Sequence, residues 1–228
     1  MRYKLVSIML VIDLSIVQAV SSNTNIDIEG KPPVSVTSSN DLRTFPYGQG
    51  YSQGYIREEQ NVSGGDVVWN AKVMEGGIQS LYATNDQEED GGTAVNTTIF
   101  RDGRQRVSAE GVAITVTLYD NAVQEIYKGG YVYDLTVHDR ASSWAYAGAT
   151  LEGNTIINDF GKFLLYAGDK EHQSTVENFI LNGKDTKLYS IAADVDGESS
   201  LVESLSGNGS VIFTSTVSNP HYSKLEIN

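Results

Sequence analysis

The residues of this chain that have the types needed for chemistry fall into a few groups. Gly50-Tyr51-Ser52-Gln53-Gly54 carries the G-x-S-x-G spacing that presents a serine nucleophile on a strand-to-helix elbow. Such a serine also needs a following helix, and a His and an acid converging on it. Here the pentapeptide lies inside a Gly/Tyr tract with no helical pattern after it, so it reads as a product of Gly and Ser repetition. The three histidines, His138, His172 and His221, show no H-x-x-x-H spacing. A metal site cannot be argued from them, and His138 falls on the solvent phase of a strand. Glycoside hydrolysis needs two carboxylates held at a fixed separation, and no pair stands out among the 29 Asp and Glu. No catalytic residue is therefore expected.

Two acidic loops have the oxygen spacing of a calcium loop. Asp86, Glu88 and Asp90 precede Gly91-Gly92, and Asp194 and Asp196 precede Gly197, with Glu203 further on. Calcium takes six to eight oxygen ligands, and a glycine permits the turn that gathers them. Both loops are incomplete. The first has Thr97 where a bidentate Glu belongs, and the second has Ala192 at its first ligand position. They are candidates for weak calcium binding against the plainer reading of acidic surface turns, and no other cofactor is expected. Three sequons, at Asn61, Asn96 and Asn208, are candidate glycosylation sites. Trp144, Tyr146, Tyr131 and Tyr133 are aromatics that could meet a carbohydrate, or could equally be cross-strand core pairs.

The elements that must position these groups are strands. Val112, Ile114, Val116 and Leu118 alternate with Ala and Thr, and Tyr131–Val137 alternates in the same way. Asp102-Gly103, Gly129-Gly130, Asn182-Gly183 and Asn208-Gly209 stand between such runs and supply the positive φ angles of two-residue hairpins. About a dozen strands at roughly 10-residue spacing, with no helical window, predict an antiparallel β-sandwich or barrel-like domain over residues 66–228. Residues 20–65, poor in large apolar groups, read as an extended Gly/Ser/Tyr-rich arm.

Residues 1–19 read as a secretory signal peptide: Arg2 and Lys4, then an apolar stretch, then Val17-Gln18-Ala19 as the cleavage site. The chain has 228 residues, 16 Lys and Arg against 29 Asp and Glu, a net charge of −13, and no Cys. The missing Cys excludes disulfides, thiolate nucleophiles and zinc–thiolate sites. The acidity opposes a nucleic-acid partner. No further apolar run approaches a membrane span, and no lipid-anchor motif is present, so the mature protein is expected to be extracellular or held in the cell envelope by noncovalent contacts.

Val112–Leu118 and Ser210–Val217 lack charge, Gly and Pro and have the composition of strands that recruit another chain. Val112, Ile114, Val116, Leu118, Val211 and Phe213 are thus the candidate assembly residues. The signal peptide, the missing Cys, the sequons on an acidic Thr/Ser/Asn-rich β chain and the Pro46-Tyr47-Gly48 to Tyr55 tract together resemble the secreted sheath or surface-layer subunits of methanogenic archaea. The resemblance implies a structural subunit that forms a homopolymer outside the cell and carries no functional residue across. A carbohydrate-binding module that meets cell-surface glycans is the second reading, and a secreted hydrolase the third.

Overall fold

The computed structural model describes residues 24–26, 34–36, 55–83, 91–108, 110–169, 171–192, 199–214 and 224–227. The signal segment, the G-x-S-x-G tract, His221 and the candidate calcium ligands Asp86, Glu88, Asp90, Asp194 and Asp196 lie outside these residues. Two compact units cover residues 1–41 and 42–228. In the first, β1 (Thr24–Ile26) and β2 (Val34–Val36) pair antiparallel.

Among the described residues the second unit holds eighteen strands. They begin with β3 (Tyr55–Ile56), β4 (Glu59–Val62), β5 (Val67–Trp69), β6 (Lys72–Val73), β7 (Ile78–Leu81) and β8 (Thr93–Ile99). Next come β9 (Arg104–Val107), β10 (Val112–Leu118), β11 (Val123–Ile126), β12 (Tyr131–Val137), β13 (Ser142–Ala145) and β14 (Thr150–Asn158). The last are β15 (Lys162–Tyr166), β16 (Thr175–Asn182), β17 (Lys187–Ile191), β18 (Ser200–Gly207), β19 (Ser210–Phe213) and β20 (Leu225–Ile227). One sheet runs β20-β18-β16-β14-β12-β10-β8-β6-β3, with β5 also on β8; the other runs β19-β17-β15-β13-β11-β9-β7-β4. Every pairing between these strands is parallel.

The all-β expectation holds, and the antiparallel sandwich or barrel does not. Among its described residues the second unit winds as a helix-free parallel solenoid in which successive strands, β5 and β6 excepted, alternate between the two sheets. Thr93, Val112, Tyr131 and Thr150 stand in register, each 19 residues after the last. The repeat is therefore a rung of two strands, about twice the 10-residue spacing visible in the sequence. Asp102-Gly103 and Gly129-Gly130 are corners that carry the chain from one sheet to the other, not hairpins. The first described rung begins at Tyr55, within the segment expected to be an arm.

A second correction concerns which side chains face the core. Asn70, Asn96, Thr115 and Asp134 share one column and all have φ between 52° and 56°. A left-handed residue in mid-strand bends the first sheet and shifts the side-chain phase by one. Ala113, Val116 and Leu118 therefore point into the core cluster, as do Val132, Leu135 and Val137 one rung on. Val112 and Ile114, expected on the same face as Val116 and Leu118, belong to the opposite phase, although they too are buried. β10 is hydrogen-bonded to β8 and β12, so its backbone offers no free edge.

Two devices lock the rungs together. A buried ladder of amides runs up the second sheet: Gln124 Nε2 donates to Gln105 Oε1, Gln105 Nε2 to Gln79 Oε1 and Gln79 Nε2 to Gln60 Oε1, at 2.8, 2.8 and 2.9 Å. The Ser143 hydroxyl donates to Gln124 Oε1 at 3.0 Å and continues the ladder. Gln79, Gln105, Gln124 and Ser143 are fully buried, so each depends on its neighbour for the hydrogen bond that water cannot supply. At another corner a Cβ on Gly111 would lie 2.2 Å from the Leu81 carbonyl oxygen of the preceding rung. Only a residue without a side chain fits that approach.

Candidate functional site

The outer face of the second sheet gathers a group of half-buried aromatic side chains. Alternation places Gln105, Gln124, Ser143 and Phe163 inward, so their neighbours Arg106, Glu125, Trp144 and Leu164 form an outward column, one rung apart. Tyr189 and Ile212 continue that column. Beside it, at the strand ends, Tyr127, Tyr146 and Tyr166 form a stack. Ring centroids are 4.8 and 4.6 Å apart, with planes within 5° and 20°. That spacing is the distance of about 4.8 Å between neighbouring strands, so the stack is a direct consequence of Tyr recurring at the repeat period.

Trp144 is set differently. Its ring stands at 68° to Tyr146, with centroids 6.5 Å apart, and its indole N–H donates to the Ser142 hydroxyl at 3.1 Å. Ser142 is two residues back on the same strand face, so the indole is turned out of the tyrosine stack and runs along β13. Glu125 is one rung up from Trp144 and Arg106 two; Arg106 Nε lies 3.2 Å from Glu125 Oε2, with the Arg side chain 41% exposed and the Glu side chain 9%. Burial, then the nearby Glu125 charge, raises the Tyr127 pKa. Burial pushes that of Tyr146 up to about 12, and burial also raises Tyr166. All three phenols are protonated near neutral pH and present O–H donors.

The other two nominated aromatics are on the first sheet. Tyr131 is buried, its O–H donating to Glu152 Oε2 at 2.5 Å, and burial and that hydrogen bond raise its pKa. Tyr133 is half-buried two residues on. Neither joins Trp144 and Tyr146. Two of the three histidines are placed. His138 stacks on Tyr119, centroids 4.8 Å apart, with Nδ1 3.4 Å from Asp159, so it is a corner group rather than a solvated strand residue. His172 Nδ1 lies 3.0 Å from Asp169 Oδ1, and this contact holds the Asp169 carboxyl below its ordinary range. Glu203 is an exposed residue of β18, and no group of metal-ligating side chains is present among the described residues.

The sequon residues Asn61, Asn96 and Asn208 are all exposed. Asn96 donates from Nδ2 to Asn70 Oδ1 at 2.6 Å, the atom a glycan would occupy. Asn208 Oδ1 accepts from the Gly183 N–H. Of the nominated assembly residues, Val112, Ile114, Val116 and Leu118 are interior, whereas Val211 and Phe213 lie on β19, at the end of its sheet. Sequence reasoning missed the glutamine ladder and the tyrosine stack. A search at 19-residue offsets finds both, since Gln105 and Gln124, and Tyr127 and Tyr146, differ by that interval.

The chain matches no protein-family model and no curated protein. Among solved structures it is similar to the TibC-catalysed hyper-glycosylated TibA55-350 fragment, with 21% identity and a TM-score of 0.53. The match covers 69% of this chain and 48% of that one, so the chain spans about half the length of its structural neighbour. At that identity the likeness is one of fold.

Proposed function

We propose that the mature protein is an extracellular structural subunit whose solenoid joins other copies end-on, as a unit of a sheath, surface layer or filament. The observation that carries this reading is the state of the last described rung. Phe213 stands in the core column of Leu165 and Ser190, which are fully buried, yet it is 59% exposed. Ile227 stands in the core column of Val176 and Val202 and is 53% exposed. Among the described residues β19 pairs with β17 and β20 with β18, and no further strand follows either. An exposed apolar core surface at the last described strands of both sheets invites a further layer of strands. Covering a Phe side chain contributes about 1.5–3 kcal/mol.

The net charge of −13 opposes side-by-side contact and leaves the apolar end as the favourable surface. Light scattering on the mature protein tests this. Dimers or longer species are expected, reduced to monomers by Phe213→Asp. A wild-type protein that stays monomeric at high concentration, its last rung covered by its own residues, overturns the reading.

A further inference from the structure

We propose that the end-on contact is two-fold: the last rungs of two copies meet each other, and the product is a closed pair rather than a growing row. This rests on the end-on reading and names the surface that the second copy offers. The two ends of the solenoid differ in chemistry. One core column of the second sheet starts as the glutamine ladder at Gln60 and ends at Phe163, Leu188 and Val211. Polar groups thus fill it at the first described rung and apolar groups at the last. The neighbouring core column runs from Val62, which is fully buried, to Phe213, which is 59% exposed. Among the described residues, large exposed core side chains occur at one end only.

A head-to-tail contact that continued these columns would set Val211 of one copy on Gln60 of the next. Gln60 Oε1 accepts from Gln79 Nε2 at 2.9 Å, so the sense of the ladder aims the Gln60 amide N–H2 at the rung before it. Covering that donor with a valine takes it from water and supplies no acceptor. Phe213 would fall on Val62, which has no exposed surface to offer. Apolar burial, the driving force of the contact, is thus small in this arrangement and its polar cost is real.

Two last rungs brought together meet neither obstacle. Of the large apolar side chains exposed among the described residues, Phe160, Phe213 and Ile227, two lie on this end. The surface that best matches it is therefore its own copy. β19 carries no charged residue, and on β20 Glu226 Oε1 lies 2.7 Å from Lys224 Nζ, so like meets like without opposing unpaired charges. A surface complementary to itself is satisfied by one partner across a two-fold axis and is then used up. The pair is the unit that enters any larger layer, with the glutamine ends of its two solenoids facing outward.

Mass and distance measurements on the full mature chain test the proposal. Light scattering of the unlabelled wild type should show a mass that rises with concentration to twice that of the single chain and no further. The chain has no Cys, so Ser210→Cys on β19 places a single spin label at the last rung. Across a two-fold junction the labels of two copies lie within about 25 Å of each other. Head-to-tail they stand one solenoid length apart, about 38 Å for the eight strands of the second sheet at ~4.8 Å each. Double electron–electron resonance should return the short distance. Adding Phe213→Asp should abolish it while circular dichroism stays that of the parent, which separates a lost contact from a lost fold. Masses that keep growing past the pair, or labels near 38 Å, overturn the two-fold contact and leave end-on association standing. A wild type that is monomeric at every concentration overturns both.

Discussion

Gln105 shows what a single residue does inside a parallel solenoid. It is fully buried, donates to Gln79 and accepts from Gln124, so its loss removes a hydrogen-bond partner from two buried amide groups at once. Gln105→Leu keeps most of the volume and removes both bonds; a loss of about 2–4 kcal/mol is expected from urea unfolding followed by circular dichroism. Gly111→Ala tests a different constraint. The added carbon would overlap the Leu81 carbonyl oxygen, backbone that cannot move without shifting a whole rung. The variant should be destabilised by several times the ~0.5–1 kcal/mol that Gly-to-Ala normally gains, and in the opposite direction. Neither effect is legible at its own position: a Gln in a strand reads as a surface residue, and its burial follows only from the amide one rung above and one rung below.

At the scale of the element, the tyrosine stack belongs to three strands together. Tyr146 touches a ring on each face, so Tyr146→Ala breaks two stacked pairs and Tyr127→Ala only one. The central substitution should cost about twice as much as the terminal one, in the range of roughly 1–3 kcal/mol. The stack also gives the protein an alkaline signature. The folded-state pKa of Tyr146 is raised to about 12 by burial, above the unfolded value of 10. A raised pKa means that the unfolded chain loses its proton first. The contribution is complete below pH 10 and is lost as pH climbs from 10 toward 12. The thermal midpoint should accordingly fall across that interval, and ultraviolet titration of the native protein should show tyrosines ionising later than in denaturant. A Tyr146→Phe variant should show a shallower fall.

For the whole molecule, the decisive property is that rungs are interchangeable. Deleting residues 111–129, one 19-residue period, sets the rung that starts at Gly130 directly on the one that ends at Glu110 and keeps every register. Deleting residues 111–120 instead puts strands of one sheet where those of the other belong. The first variant should retain the β-type circular dichroism spectrum and a cooperative melt, and the second should lose both. In a sandwich of interleaved hairpins both deletions would be equally damaging. Net charge acts on this scale too. Raising salt weakens repulsion between acidic flanks, so end-on species should grow in light scattering as ionic strength increases.

What the sequence determines by itself is the strand content: β-branched runs, turn pairs at regular intervals and no helical periodicity leave no other class. It determines the acidity that keeps flanks apart and the absence of thiol chemistry. It also nominates Trp144, Tyr146, Val211 and Phe213, which lie on the outer face and the end strand. It does not determine how strands pair. Asp102-Gly103 and Gly129-Gly130 satisfy a hairpin and a solenoid corner equally well, because both need the same backbone angles. The difference lies in whether the next strand returns beside the last or crosses to the other sheet. That choice is made by contacts 19 residues apart, such as Gln105 with Gln124, Tyr127 with Tyr146 and Gly111 under Leu81 of the preceding rung, whose free energy exists only once the rungs are stacked. The phase shift at Thr115 has the same origin: a β-branched residue accepts a left-handed conformation because strands on both sides hold it there.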